Sequence, residues 1–429
     1  MNLTDFTGNT TVCKLIDSLR NEGIHLRQFS DVMDNQGNQY VELVQEGGGV
    51  LGIALTGYTW VLEQMGLRFA GLAGTSAGSI NALMLAALGD ISQPKSERII
   101  AELARKNLFD LMDGTTDARA FIRALTGKTR RIILAWKAWQ IVDDLYEHLG
   151  LNPGDEFTRW ITGFLISQGI RTWDDLHQKF AALPSGLSIR EGVNQSVEGI
   201  LPRLAIIAAD ITTGTKAEFP AMAELYWSDP AKVNPALFVR ASVAVPYFFR
   251  PLRIGSVPRG ENAVAKWKSL AAYSGPIPRQ VYLVDGGTMS NFPVNVFHQY
   301  GSVPRMPTFG VRLGDDRNST NHISNPLNLF GSLFNSVRNL HDYDFILKHP
   351  DYSMLIGKID VGHHGWLDFS LSDDAKLDLF IRGAQGAARF LESFNWKDYK
   401  QVREKLIYKP VDRQSQATME RFYPSSTKS

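Results

Sequence analysis

The pattern of hydrophobic and polar positions in the N-terminal part of the chain predicts a strand followed by a helix, twice in succession. Residues 40–46 alternate apolar and polar side chains as a strand does, and residues 53–65 have the spacing of a helix. Residues 69–75 form a short apolar run typical of a buried strand, and residues 77–88 predict a second helix. The pattern therefore predicts two consecutive strand-to-helix turns.

The remaining pattern divides the chain into three parts. The pattern predicts a polar leader with a small helix over residues 1–38 and the main domain over residues 39–395. It predicts a charged tail over residues 396–429. Within the domain, residues 91–200 have helical spacing broken by proline and glycine, which indicates a helical insertion or cap. The predicted fold is α/β with three layers and a mostly parallel central sheet. Further strands are predicted at 204–209, 216–219, 280–284 and 308–313, and a late helix at 373–394.

Composition and charge narrow the class of protein. The 429 residues are 44% hydrophobic and 21% charged, which is enough to bury a large core, and the net charge of +1 argues against nucleic acid as a partner. Cys13 is the single cysteine, so an intramolecular disulfide and a cysteine-based metal cage are both excluded. The first residues have no signal-peptide pattern, and residues 67–89 are too polar and glycine-rich for a membrane span, so we expect a cytoplasmic protein.

The second turn carries a candidate nucleophile. Ser76 stands between Gly74 and Gly78, directly before the predicted helix. Glycines two positions away on either side remove the Cβ atoms that would clash in a sharp turn, so the hydroxyl is exposed and the Ala77 N–H points toward the reaction centre. A helix N-cap is the alternative role for this serine.

The first turn is a glycine run that can bind an anion. Gly47, Gly48, Gly49, Val50 and Gly52 lie where a strand ends and a helix begins. Backbone N–H groups at the start of a helix have no intrahelical acceptor, so they can stabilise the negative oxygen of a tetrahedral intermediate. We predict the Gly48–Val50 N–H groups, with Ala77, as the oxyanion hole.

A serine nucleophile needs a base, and one carboxylate is well placed for that role. Asp285 follows the apolar strand 281–284 and precedes Gly286 and Gly287. Because active sites of α/β sheets assemble at strand ends on one edge, we predict Asp285 as the base for Ser76. A plain turn residue is the alternative.

Two other classes share parts of this pattern. Gly47–Gly52 fits G-x-G-x-x-G, but the second strand lacks the acidic end that a dinucleotide site requires, and no Gly-Lys-Ser/Thr follows for a P-loop. A Ser-His-Asp triad remains an alternative, although no His-Gly-Gly marks its oxyanion hole. Its candidate histidines are His298, His341, His363 and His364.

The three motifs, in this order along the chain, resemble those of the patatin-like phospholipase family. They are the glycine loop at 47–52, the serine turn at 74–78 and Asp285-Gly286-Gly287. The resemblance spans about residues 40–394. Softer similarities lie at 150–155, 209–214, 239–246 and in the late helix with Gly383.

The resemblance implies a lipid acyl hydrolase with a Ser-Asp dyad. Ser76 forms the acyl-enzyme and Asp285 is the general base, and the chemistry needs neither a metal nor an organic cofactor. The implied substrate is a phospholipid or lysophospholipid, reached through transient contact of a cytoplasmic protein with a membrane surface. The sequence identifies no activator.

One departure from the family motivates a second hypothesis. The family usually has Arg or Lys at the position of Leu51, so a lipid-binding or regulatory protein with weak catalysis is the alternative function. Residues 130–149 have a bulky apolar face with basic flanks, which fits either a membrane-docking helix or a helix that covers the core. Residues 326–334 are likewise compatible with an acyl-channel wall or plain core.

Overall fold

The structure of the protein is a computed structural model. It describes residues 1–126, 142–193, 195–314 and 342–407, together with 320, 323, 332 and 336. Most of the amphipathic stretch 130–149 and all but one residue of 326–334 lie outside the described residues, so both predictions stay open.

Among the described residues, ten strands form one central sheet and two further strands form a separate small sheet. The small sheet joins β4 to β8, as defined below. The strands are β1 (Val32–Met33), β2 (Gln39–Gln45), β3 (Leu67–Thr75), β4 (Gly150–Asn152), β5 (Ser188–Ile189), β6 (Arg203–Asp210), β7 (Thr215–Phe219), β8 (Tyr247–Phe249), β9 (Leu252–Ile254), β10 (Val281–Asp285), β11 (Thr308–Leu313) and β12 (Ile356–Ile359).

The central sheet is parallel in one half and antiparallel in the other. Its main path runs β12-β11-β2-β3-β6-β10-β9. The pairs from β12 to β6 are parallel, whereas β10 runs antiparallel to both β6 and β9. The predicted α/β class, a central sheet flanked by helices, is confirmed.

Helices connect and cover these strands, and the two predicted strand-to-helix units are β2 with α3 and β3 with α4. Their bounds agree with the sequence pattern to within two residues. The helices are α1 (Leu3–Thr7), α2 (Thr10–Asn21), α3 (Gly52–Gln64), α4 (Ala77–Ala87), α5 (Ser96–Arg105), α6 (Thr116–Thr126), α7 (Val142–His148), α8 (Asp155–Ser167), α9 (Trp173–Phe180), α10 (Ala236–Ser242), α11 (Glu261–Ala271), α12 (Asp373–Ser393) and α13 (Trp396–Ile407).

Both terminal segments pack on the main body. In α2, the buried residues Val12, Ile16 and Leu19 follow helical spacing, and this helix contacts α12. In α13, which begins the predicted tail, Trp396 is buried. The predicted leader and the first part of the tail therefore contribute to the core, and residues 408–429 lie outside the described residues.

One carboxylate is buried in the middle of β2. Glu42 lies beside Thr308 of β11, whose hydroxyl donates to Glu42 Oε2 at 2.5 Å. Burial raises the pKa of Glu42 to about 7, against the opposing effects of the Thr308 hydrogen bond, Arg203 and Arg305. Between the ordinary value of 4.5 and about 7, the folded protein therefore holds a proton that the unfolded chain has released.

We expect the free energy of unfolding to fall across this pH window, and Glu42→Gln to remove the fall. Because the folded-state pKa is the higher one, the contribution of Glu42 is complete below pH 4.5 and is lost as the pH rises through about 7. The loss is roughly 3 kcal/mol by linkage. Urea unfolding of both proteins on each side of the window measures it. Glu392→Gln, at an exposed position, is the control, and equal pH slopes in wild type and Glu42→Gln would contradict the expectation.

Candidate active site

Ser76 occupies the turn between β3 and α4 in a backbone conformation that is rare for a residue with a side chain. Its φ is 50° and its ψ is −118°. A Cβ on Gly74 would lie 2.3 Å from the carbonyl carbon of Gly78, and a Cβ on Gly78 would lie 2.3 Å from the carbonyl oxygen of Gln45. The predicted sharp turn is therefore present, and only glycine fits at its two flanking positions.

The end of α10 holds this turn in place. The Ser76 N–H donates to Ser242 Oγ at 2.9 Å, and the Ser242 hydroxyl donates to the carbonyl oxygen of Ile207 at 2.5 Å. Two residues further on, the carbonyl oxygen of Ala244 accepts the Asp285 N–H at 2.8 Å. One short segment thus fixes the backbone of both predicted catalytic residues, a role that the sequence reasoning missed.

The pairing with β6, which lies between β3 and β10, shows how far along the strand direction Asp285 lies relative to Ser76. On β6, Thr75 pairs with Ile207, and Asp285 pairs with the next residue, Ala208. Because neighbouring strands lie about 4.8 Å apart, the backbones at Ser76 and Asp285 are about 10 Å apart at the same level. Asp285 reaches this level at the C-terminal end of β10, which runs antiparallel to β6.

The turn after Asp285 packs closely on its neighbours. The Gly287 N–H donates to Asp285 Oδ1 at 2.8 Å. A Cβ on Gly286 would lie 2.1 Å from the carbonyl oxygen of Ile207, so this position also requires glycine. Ser76 is 5% exposed and Asp285 is 4% exposed, so bulk water is largely excluded from both side chains. The expectation of an exposed Ser76 hydroxyl is therefore wrong, because neighbouring segments cover the turn and Ser76 faces a cavity instead of bulk solvent.

Asn291 links this turn to the glycine loop. The Gly47 N–H donates to the Asn291 carbonyl oxygen at 3.0 Å, and Asn291 Nδ2 donates to the Gly47 carbonyl oxygen at 3.2 Å. The Thr75 hydroxyl donates to the Ser290 carbonyl oxygen at 2.9 Å. A Cβ on Gly47 would lie 3.2 Å from Ser76 Cβ, so the three motifs of the sequence meet at one place.

Some N–H groups of the glycine loop already donate hydrogen bonds within the protein, and others can donate to a bound group. The Val50 N–H donates to the Trp366 carbonyl oxygen at 3.0 Å, and the Gly52 N–H bonds within the loop. Among the described residues, the N–H groups of Gly48 and Gly49 have no acceptor within hydrogen-bonding distance. Ala77 is the first residue of α4, where an N–H has no intrahelical acceptor.

A large apolar cavity opens beside Ser76. Its volume is about 790 Å³, counted with its open mouth. Ser76, Thr56 and Asn81 are the polar residues in a lining that is otherwise apolar or glycine. The remaining lining residues are Gly49, Val50, Gly52, Ile53, Ala77, Ile80, Met84, Ile99, Leu103, Leu108, Leu111, Phe157, Trp160, Val243, Val245, Phe249, Trp366, Leu367 and Phe369.

Two of the histidines considered for a triad have partners elsewhere. His298 Nδ1 lies 2.8 Å from the Tyr352 hydroxyl, and burial lowers the pKa of His298 to about 4. His364 Nε2 lies 2.8 Å from Asp378 Oδ2. His363 is exposed, and His341 lies outside the described residues.

The described residues contain neither a cluster of metal-binding side chains nor a helix that could span a membrane. No group of three or more His, Cys, Asp or Glu side chains in this part of the chain could hold a metal ion. Among the helices described, none combines the length and the apolar character that crossing a membrane requires.

Fold and site together define an α/β protein with a serine at a strained strand-to-helix turn, a glycine loop beside it and an apolar cavity in front of it. The family model of the patatin-like phospholipases matches residues 43–298, which is more than half of the chain. The chain therefore belongs to the patatin-like phospholipase family, a family of lipid acyl hydrolases.

Proteins similar to the chain include one from Bacillus subtilis and one from Legionella pneumophila. The uncharacterized protein YqhO of Bacillus subtilis (strain 168) is 28% identical over 359 residues, which are 83% of this chain and the whole of that protein. The crystal structure of VipD from Legionella pneumophila aligns with 86% of this chain and 70% of its own, at 14% identity and a TM-score of 0.38. Family membership rests on the family model.

Proposed function

We propose that the protein is an acyl hydrolase of the phospholipase A or lysophospholipase type, with Ser76 as nucleophile and Asp285 as general base. The observation that carries the proposal is the position of Ser76 in the wall of the apolar cavity, at the same sheet level as Asp285. An ester with a long hydrocarbon chain fits this combination. Its carbonyl group can lie at Ser76 and Asp285, and its hydrocarbon chain can lie in the apolar cavity.

In the first half of the reaction, Asp285 accepts the proton of the Ser76 hydroxyl while Oγ attacks the ester carbonyl carbon. The N–H groups of Gly48, Gly49 and Ala77 stabilise the oxyanion of the tetrahedral intermediate. The bond to the alcohol then breaks, and the alcohol, a lysophospholipid or a glycerol phosphodiester, takes the proton from Asp285.

In the second half, water releases the fatty acid. Asp285 takes a proton from the water molecule while the water oxygen attacks the acyl carbon. The bond from the acyl carbon to Ser76 Oγ then breaks, and Oγ takes that proton from Asp285. The substrate resides in a membrane, so we propose transient peripheral contact of a cytoplasmic protein with the membrane surface.

Fatty-acid release together with active-site labelling tests this proposal. The purified protein is incubated with phosphatidylcholine and lysophosphatidylcholine vesicles, and separately with a fluorophosphonate, which reacts with activated serines. We expect fatty acid to be released and one adduct to map to the peptide containing Ser76. An adduct at another serine, or release that the fluorophosphonate does not inhibit, would contradict the assignment of the nucleophile.

The second hypothesis, a lipid-binding protein with weak turnover, is favoured by one residue. Leu51 replaces the basic residue that is usual in the family, and its side chain is buried. Vesicle binding without fatty-acid release, and without an adduct at Ser76, is the outcome that this hypothesis predicts.

A further inference from the structure

The apolar cavity extends away from Ser76 along α4. Ala77, Ile80 and Met84 line it from one face of this helix, as their spacing requires. At a rise of 1.5 Å per residue, Met84 lies about 12 Å from Ser76 along the helix axis. The neighbouring helices α3 and α5 line other parts of the same cavity.

A second cavity, of about 200 Å³ counted with its open mouth, adjoins the first beside the start of α3. Ile53 and Thr56 of α3 and Leu103 of α5 line both cavities, so these three side chains form the wall between them. The Thr56 hydroxyl donates to the Ile53 carbonyl oxygen at 2.7 Å, within its own helix. The wall thus presents no unpaired polar group to either cavity.

Phe6 of α1 lines the second cavity but not the first. Its side chain is 2% exposed, and its ring packs edge-to-face on Phe380 with ring centroids 5.3 Å apart. Ile100 and the buried stem of Lys376 complete the lining. The Lys376 ammonium donates to the Lys106 carbonyl oxygen at 3.0 Å, so its charge has a partner at the end of the cavity.

We propose that the second cavity is the distal part of the acyl site, and that Phe6 determines the length of acyl chain the protein accepts. The proposal rests on the acyl-hydrolase function proposed above. When a long acyl chain enters, Ile53 and Leu103 change rotamer and the two cavities join. Side chains change rotamer far faster than an enzyme turns over its substrate, so this step does not limit the reaction. The N-terminal segment is then part of the substrate site rather than only a cover for the core.

Chain-length profiles of Phe6 variants test this inference. We measure kcat/KM for nitrophenyl butyrate, octanoate and palmitate with wild type, Phe6→Ala and Phe6→Leu. Each methylene newly buried contributes about fourfold, so the palmitate-to-octanoate ratio is expected to rise about tenfold in Phe6→Ala and less in Phe6→Leu, which keeps more of the packing on Phe380. Ile100→Phe, which fills the second cavity, is expected to lower the same ratio.

Phe29→Ala is the matched control. Phe29 is fully buried and stacks on Phe394, but it lines neither cavity. Its replacement removes the same side chain from the core and should leave the ratio unchanged. A ratio that shifts equally in Phe6→Ala and Phe29→Ala, or in neither, overturns the inference.

Binding of free fatty acids separates this inference from the proposed function. Palmitate and octanoate are titrated calorimetrically into Ser76→Ala protein with and without Phe6→Ala, which requires no hydrolysis. A rise in palmitate affinity specific to Phe6→Ala supports the distal site even if no variant hydrolyses an ester, a result that would overturn only the proposed function. Hydrolysis by wild type with unchanged binding and unchanged ratios overturns only the distal site.

Discussion

Replacing Ser76 by alanine is expected to lower kcat for ester hydrolysis by on the order of 10⁴-fold or more, because the proposed mechanism has no other group to form the acyl-enzyme. Asp285→Asn is expected to lower kcat by at least about 10³-fold, since an amide cannot accept the serine proton. The losses should not add in the double variant, because both residues act in one step. Initial rates on a soluble fluorogenic ester measure all three variants.

Asp210→Asn is the matched control for Asp285→Asn. Asp210 is a buried carboxylate on the neighbouring strand, it pairs with Leu283, and it accepts hydrogen bonds from the Thr212 N–H and the Thr213 hydroxyl. Its replacement should leave kcat within a few-fold of wild type. Comparable losses in the two asparagine variants, with both proteins folded by circular dichroism, would exclude a special role for Asp285.

Gly49→Ala is expected to lower kcat by about 10²- to 10³-fold, the usual effect of losing one oxyanion donor. Gly49 has a φ of +55°, and a Cβ there would lie 2.1 Å from the Trp366 carbonyl oxygen. An alanine must therefore displace either the glycine loop or the segment at Trp366. Steady-state kinetics give the loss of kcat. Thermal melting should show a cost above the roughly 1–2 kcal/mol of alanine in a left-handed conformation, because the contact with the Trp366 carbonyl oxygen adds to it.

Gly365→Ala provides the comparison for Gly49→Ala, since it changes the residue next to Trp366. Nothing lies within 4 Å of a Cβ at this position, and its φ is outside the positive range. Its activity and melting temperature should match wild type. If Gly49→Ala retained full kcat, the Gly49 N–H would have no part in stabilising the oxyanion.

The local parts of the site could be predicted from the sequence. The turns at Gly47–Gly52 and Gly74–Gly78 each depend on a strand and a helix that are adjacent in the chain, and the apolar residues of both elements are visible in the local sequence. The same holds for Asp285, which follows a short apolar strand and precedes two glycines.

Contacts between distant segments could not be predicted in this way. The direction of β10 depends on pairing with β6 and β9, and hydrophobic pattern does not distinguish parallel from antiparallel neighbours. The hydrogen bond from Val50 to Trp366 joins residues 316 positions apart, and nothing in the local pattern at either position indicates it. Ser242 left one weak signal, as the single hydroxyl residue in the apolar run 241–246.

Leu51 has a clear structural setting. Its side chain is 7% exposed and belongs to the hydrophobic core. A basic residue at this position in the present backbone would place its charge in an apolar environment, where an unpaired charge is costly. The leucine therefore fits the packing of this chain.

Residues 242–245 connect acyl-chain binding to the alignment of the reacting groups. Val243 and Val245 line the cavity, while Ser242 and Ala244, which alternate with them, hold the backbones of Ser76 and Asp285. In the proposed mechanism, an acyl chain that packs on the two valines contacts the same short segment that holds the backbones of Ser76 and Asp285. Binding energy from a part of the substrate remote from the ester can thus be used at the reacting atoms, so shortened substrates should lose turnover rate as well as affinity.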